Sequence, residues 1–282
     1  MMKYAGKTVL ITGASSGIGL EFARETARRK ANLILVARSV DKLQQVAKEL
    51  NRQHNVSVEI IAVDLSKENS ANQVQQIVAE RNLTVDILVN NAGIAFQGEF
   101  AALSAEQNHS QVMLNVASMV NLTHAFLPSM LNRQDGAIIN IGSTTSFYPL
   151  PFQSVYGATK AFVLSFSEAL WAEYRKSGVR VLAICPGATE TAFFDAMGSE
   201  VKTRKDKPEN VVRIGLKALE NKRHYVIPGI QNNLESQILP RILPRSILAK
   251  LVAKISRAVF IKRESKEEIT TNTLNSKQET VF

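Results

Sequence analysis

An α/β chain folded as one doubly wound, mostly parallel seven-stranded sheet with helices on both faces is predicted by three observations. Short β-branched apolar runs alternate with helical patterns along the chain, the runs are nearly apolar throughout, and a glycine-rich loop directly follows the first of them. Strands that are apolar on both faces suit a parallel sheet covered by helices on both sides. The runs predict strands at 8–12, 32–37, 58–63, 86–89, 137–141, 179–184 and 224–227. The segments 20–29, 40–50 and 72–81 between them read as helices. Such a sheet holds its ligand at the carboxyl ends of the strands.

Composition narrows the function classes. The chain of 282 residues is 45% hydrophobic and 21% charged, as in ordinary globular proteins. No apolar run reaches the roughly 18 residues a membrane span needs. The start, Met1 to Lys7, lacks a signal peptide's apolar core, so a cytoplasmic location is expected. Cys185 is the only cysteine, and His54, His109, His124 and His224 show no ligand spacing, so no metal is expected. The net charge of +9 is concentrated in residues 231–263, where seven cations face one anion, Glu235. The remaining charge is mixed, with no aromatic-interleaved basic patch to stack bases, which argues against nucleic acid as a partner.

The loop is Thr12-Gly13-Ala14-Ser15-Ser16-Gly17-Ile18-Gly19, between the first strand and a helix. Glycines permit a tight turn and close backbone approach, and the helix N-terminus offers N–H donors to a pyrophosphate. This is the context of a Rossmann-type dinucleotide site. Gly13-Ala14-Ser15-Ser16-Gly17 also fits the hydrolase nucleophile elbow, but that elbow needs earlier strands, and twelve residues leave room for one. At the end of the second strand Ala37 is followed by Arg38 and Ser39, where an acidic residue would favour NAD. A neutral slot beside a guanidinium suits a 2′-phosphate, a contact of about 1.5–3 kcal/mol, so NADP(H) is expected.

Tyr156 and Lys160 stand four apart in an alanine-rich helical run, on one face of the helix. Alone the spacing is weak, since chance yields Tyr-x-x-x-Lys in about one such chain in three. An ammonium beside a phenol would lower its pKa from about 10, and a drop of about three units needs roughly 4 kcal/mol. Ser143 could hydrogen-bond the oxygen that receives the proton. The chemistry expected is carbonyl reduction or alcohol oxidation.

Taken in order, these motifs resemble the short-chain dehydrogenase/reductase family over roughly residues 5–230. The resemblance implies that Gly13, Ser15, Ser16, Gly17, Ile18 and Gly19 hold the cofactor, with Arg38, Ser39 and Asp64 around the adenosine end. It implies that Asn90-Asn91-Ala92-Gly93 braces the central strand and lines the adenosine side, Asn91, Ala92 and Gly93 contacting cofactor. Asn115 falls at the family's catalytic asparagine, and Ser143 precedes Tyr156 by thirteen residues. Pro186, Gly187, Thr189 and Thr191 look like the segment that fixes the nicotinamide carboxamide. By this resemblance Tyr156 donates a proton, Lys160 holds the nicotinamide ribose, Asn115 steadies a water that relays protons, and Ser143 polarises the carbonyl. Phe162, Phe166 and Trp171 share one helix and read as core or interface; the resemblance implies that this helix builds a subunit contact in a homodimer or homotetramer. A sensor of NADP(H) without turnover is the alternative of another class, and it would not need Asn115, Ser143, Tyr156 and Lys160.

Three regions follow: a catalytic domain at 1–230 with a substrate flap at 191–208, a basic amphipathic helical extension at 231–263, and a polar tail at 264–282. Phe193, Phe194 and Met197 in the flap point to an apolar substrate, with ketoreduction of long-chain acyl or sphingoid lipids as the alternative. After Pro244, Leu248, Leu251, Val252, Ile255 and Val259 recur at helical spacing beside Lys250, Lys254 and Arg257. Such a helix can meet an anionic membrane surface through 245–263, or can pack on its own domain or a partner subunit.

Overall fold

The computed structural model describes residues 3–193 and 205–257. Strands β1 (Thr8–Thr12), β2 (Asn32–Ala37), β3 (Val58–Ala62), β4 (Ile87–Asn90), β5 (Gly136–Ile141), β6 (Val179–Ile184) and β7 (Tyr225–Val226) form one sheet. Their order is β3-β2-β1-β4-β5-β6-β7. Every pairing is parallel, so the sheet is wholly rather than mostly parallel. Because β2 lies on one side of β1 and β4 on the other, the winding reverses there. A crevice therefore opens at the carboxyl ends of β1 and β4.

The helices are α1 (Gly17–Arg28), α2 (Val40–His54), α3 (Ser70–Glu80), α4 (Ala105–Val112), α5 (Ser118–Arg133), α6 (Ser154–Tyr174), α7 (Pro208–Glu220) and α8 (Ile230–Ile242). A last helix, α9, is described over 245–257. Local chemistry sets several of their ends. Ser39 caps α2, its hydroxyl accepting from the Lys42 amide at 3.4 Å, and α2 stops where Asn55 turns left-handed at φ 53°. Ser104 and Gln107 close a reciprocal capping box on α4. Pro208 opens α7, where its missing N–H costs nothing.

Alternate residues of each strand feed two cores. Val9 and Ile11 pack with Phe22 of α1, Leu43 of α2 and Leu216 of α7 on one face. Leu10 turns to the other face, with Val74 of α3, Phe126 of α5 and Leu170 of α6. A buried polar chain crosses the second face: Asn90 donates to Asn140 at 2.9 Å and to Thr123 at 3.2 Å, and Asn140 donates to Ser167 at 2.9 Å. It joins β4, β5, α5 and α6, the helix that carries Tyr156 and Lys160.

Candidate active site

The glycine loop turns at the crevice. Gly13 has φ 65°, a left-handed conformation that glycine adopts without strain. A Cβ on Gly19 would stand 2.3 Å from the Gly13 carbonyl oxygen, so only glycine lets α1 start this close to β1. Asn91 holds the loop from the next strand: its side chain donates to the carbonyls of Thr12 at 2.9 Å and Gly13 at 3.3 Å. The Thr12 hydroxyl in turn accepts from the amides of Asn91 and Ala92. Ser16 precedes α1 in an extended conformation, its side chain makes no capping bond, and no acidic residue lies in the first turn. Uncapped amides at a positive helix end fit a diphosphate.

Where the adenosine end is expected, Ala37 ends β2 and leads into exposed Arg38 and the capping residue Ser39. Burial would raise the Asp64 carboxyl, but bonds from the Ser66 hydroxyl and amide, with the charges of Arg38 and Lys67, hold it below its ordinary value. One Asp64 oxygen is thus tied into a local turn with Ser66, at 2.8 and 3.0 Å.

Asn115 lies in a π-helical turn, Met113–Ala117, between α4 and α5. Inserted residues of this kind recur at functional sites. Its amide oxygen accepts from the Ile94 amide at 2.9 Å, and its nitrogen donates to the Ile94 carbonyl at 2.8 Å and to Thr159 at 3.1 Å. Gly93 brings the strand end close: a Cβ there would be 3.2 Å from Asn115 Oδ1 and 3.6 Å from Lys160 Nζ. Asn115 and Lys160 therefore converge on one spot.

Ser143 follows β5 and caps a 3-10 turn, Thr144–Phe147. Ser146, within that turn, accepts from the Ser143 amide at 3.2 Å and donates to the Lys160 carbonyl at 2.8 Å. Tyr156 and Lys160 are both buried on one face of α6. Ala95, Leu150 and Phe193 surround the Tyr156 ring. Desolvation by burial pushes the phenol up to about 12, against a hydrogen bond with the Ser143 hydroxyl that pulls it down. Burial pushes the Lys160 amine down to about 8.

This departs from the expectation that Lys160 lowers the phenol. The amine stands 5.7 Å from the ring centre and donates to the Ile141 carbonyl at 2.8 Å. Burial of the phenolate, which raises the phenol, therefore dominates, with the Ser143 hydroxyl as the group that lowers it. A phenol held up in this way keeps its proton at neutral pH. Cys185, also buried, packs behind the site with its thiol pushed up to about 12 by burial.

Pro186, Gly187, Thr189 and Thr191 run along the opposite wall. The Pro186 carbonyl accepts from the Thr144 amide at 2.9 Å, tying this segment to the turn after Ser143. Thr189 donates to the Gly187 carbonyl at 3.1 Å, and a Cβ on Gly17 would meet the Thr191 methyl at 2.9 Å. Where the segment expected to form the flap begins and ends, Asp206 exchanges backbone bonds with Ala188 and Glu190 at 2.8 and 2.9 Å. Phe193 packs at 5.8 Å from the Tyr156 ring, while Phe194 and Met197 lie outside the described residues.

Three positioning residues escaped sequence reasoning. Thr159 links the Tyr156 carbonyl to Asn115, and Ser146 links Ser143 to Lys160. Both sit within three residues of a predicted site residue, which was the signal available. Asn232, at the start of α8, gave none; it donates to Asp206 at 3.2 Å and lies against Gly187.

A wholly parallel, doubly wound sheet with a glycine loop after β1 is the architecture of the dinucleotide-binding class. The family described as short chain dehydrogenase matches residues 7–202. A very-long-chain 3-oxoacyl-CoA reductase of Anas platyrhynchos is 32% identical over 270 residues, 93% of this chain and 85% of that protein. Oxidoreductase UcpA of Salmonella typhimurium is 36% identical over 79% of this chain and 84% of its own. Among solved structures, a short-chain dehydrogenase from Sphingobium yanoikuyae in complex with NADPH superposes with a TM-score of 0.76 at 36% identity, covering 81% of this chain and 90% of that one. The chain belongs to the short chain dehydrogenase family, and it is a nicotinamide-dependent oxidoreductase of carbonyl and alcohol groups.

Proposed function

We propose that the chain is an NADP(H)-dependent ketoreductase of apolar, lipid-like carbonyl compounds. The observation that carries this is the setting of Tyr156: a protonated phenol in contact with Ser143 and walled by Ala95, Leu150 and Phe193. Apolar walls favour an aliphatic substrate by about 0.8 kcal/mol for each methylene they cover. Similarity to a very-long-chain 3-oxoacyl-CoA reductase supports the same class. Ala37 and Arg38 support NADP(H) over NAD, as does the NADPH in the Sphingobium structure.

In this reading the loop Gly13–Gly19, with Ser15, Ser16, Gly17 and Ile18, holds the diphosphate. Arg38 and Ser39 take the 2′-phosphate. Asp64, Asn91, Ala92 and Gly93 line the adenosine side, and Pro186, Gly187, Thr189 and Thr191 take the carboxamide end. When bound, the nicotinamide supplies hydride. Tyr156 gives its proton to the substrate oxygen, and Ser143 donates a hydrogen bond to the same oxygen. Lys160, held on the Ile141 carbonyl with Asn115 converging on it, returns the proton to Tyr156 through intervening water rather than by direct contact. A screen of NADPH consumption tests the assignment, across ketosteroids, β-ketoacyl chains, 3-ketosphingoid bases and small aldehydes. Turnover is expected to rise with chain length in the β-ketoacyl or sphingoid series. A preference for small polar aldehydes would overturn the substrate class.

A further inference from the structure

Exposed aliphatic side chains are unevenly spread over the molecule. Among the described residues, eight of the twelve exposed large hydrophobics fall within 230–257. In α8 they are Ile230, Leu234, Ile238 and Ile242, with Leu239 beside them; in α9 they are Ile247, Leu251 and Ile255. Within each helix the residues recur every fourth position, which places them in a slowly winding stripe on the surface. Ile230 and Ile242 are 84% and 71% exposed, far beyond the partial exposure of a packed helix edge. The inward side of each helix is settled separately, by Ser236 and Leu248, both buried. The stripes are therefore additional to what holds the helices in place.

Charge lies along the same helices. Residues 230–257 carry Arg241, Arg245, Lys250, Lys254 and Arg257, all exposed, against Glu235 alone. In α9, Lys250 and Lys254 adjoin Leu251 and Ile255 in sequence, so cations border the apolar stripe rather than occupy the opposite face. That pattern matches a helix lying in a membrane interface, with aliphatic side chains in the acyl region and lysine stems reaching up to anionic headgroups. No described helix is long and apolar enough to cross a membrane. A second copy of the chain fits less well, because a two-fold contact would set each cation row against itself.

We infer that α8 and α9 together form a docking surface for an anionic phospholipid bilayer, and that docking sets the substrate opening against the lipid. The connection to the site is direct. Helix α8 packs on the turn Thr144–Phe147 that follows Ser143. At its start, Asn232 holds Asp206 at the base of the flap and lies against Gly187. The helix that carries the first stripe thus stands on two walls of the site. This second part rests on the apolar-substrate reading; the docking itself does not.

The test uses the full chain, with vesicles of phosphatidylcholine alone or mixed with phosphatidylglycerol, in a sedimentation assay. Binding is expected to the mixed vesicles, to weaken with salt, and to be weak on phosphatidylcholine alone. Lys250→Glu with Lys254→Glu should weaken it by roughly twenty-fivefold or more, since each cation near an anionic surface contributes about fivefold. Leu234→Glu with Ile238→Glu should remove it. NADPH oxidation with ethyl acetoacetate, a water-soluble ketone, should be unchanged in both variants, which shows they are folded. Reduction of a long-chain β-ketoacyl substrate carried in the mixed vesicles should fall in both. Absence of wild-type binding, or equal binding by the variants, overturns the docking surface. So does a wild-type dimer in sedimentation that becomes monomeric in Leu234→Glu/Ile238→Glu, which would assign the stripe to a subunit contact. Vesicle binding with no turnover of any long-chain ketone would leave docking intact and refute the lipid-substrate reading instead.

Discussion

Tyr156 keeps its proton at neutral pH because burial penalises the phenolate more than the Ser143 hydrogen bond favours it. The Lys160 amine is fixed on the Ile141 carbonyl, while Asn115 is clamped by both backbone groups of Ile94. Neither side chain is free to wander. In the proposed reaction the phenol is the sole proton donor, so Tyr156→Phe should lower turnover by at least about a thousandfold, within the range of general acid catalysis. NADPH binding, read by fluorescence titration, should remain. Turnover above a few per cent would count against the role. At the adenosine end, Arg38→Asp should narrow or reverse the preference for NADPH over NADH, by roughly ten- to a hundredfold. Equal affinities of the unaltered protein for the two would refute that choice of cofactor.

Position in the elements explains why these residues meet. The loop Gly13–Gly19 is held from β4 by Asn91, and α6 is held to the sheet by the chain Asn90–Asn140–Ser167. Ser167 lies two turns beyond Lys160 on the same buried face of α6. Ser167→Ala leaves the Asn140 amide buried without its acceptor, a loss of about 1–3 kcal/mol. Urea unfolding should show that loss as a lower midpoint at unchanged slope. An unaltered midpoint would mean that the polar chain does not brace the helix. The site's second wall depends on packing from α8, which meets the Thr144–Phe147 turn and reaches Gly187 through Asn232.

Over the whole molecule, the buried titratable groups make stability depend on pH. Burial lowers Lys160 from its ordinary 10.5 to about 8, so above that pH the unfolded chain binds the extra proton. Stability therefore rises with pH from about 8. Burial raises Cys185 from 9.0, and Tyr156 and Tyr4 from 10.0, each to about 12. For these the folded state holds the proton longer, so their contribution is lost as pH rises above about 9 or 10. Between about pH 8 and 9, Lys160 alone among these buried groups titrates. Unfolding midpoints should rise over that interval, and Lys160→Met should flatten the rise. An equal rise in the variant would assign it to another group.

Much of this protein is legible in its residues. Apolar runs mark all seven strands within a residue or two; the central ones are buried on both faces and can carry little else, while the edge strands β3 and β7 are only partly buried. The loop Thr12–Gly19 and the pair Tyr156 and Lys160 are local patterns, set by turn geometry and helical period, and they read directly. The π-turn around Asn115 did not, since one inserted residue leaves no periodic trace over five positions. Helix α8 falls within the helical extension expected at 231–263, but its own bounds did not read directly, because Pro240 interrupts the period and the apolar stripe faces outward.

The sequence by itself determined the strands, the phosphate loop and which side chains could carry the chemistry, because each is written in a pattern of neighbouring residues. Only the tertiary structure decided how far Lys160 stands from Tyr156 and which protonation state burial imposes on each. It also placed Asn232 against Gly187, forty-five positions away in the chain. Desolvation and long-range packing depend on what the rest of the fold brings alongside, and no local pattern encodes that.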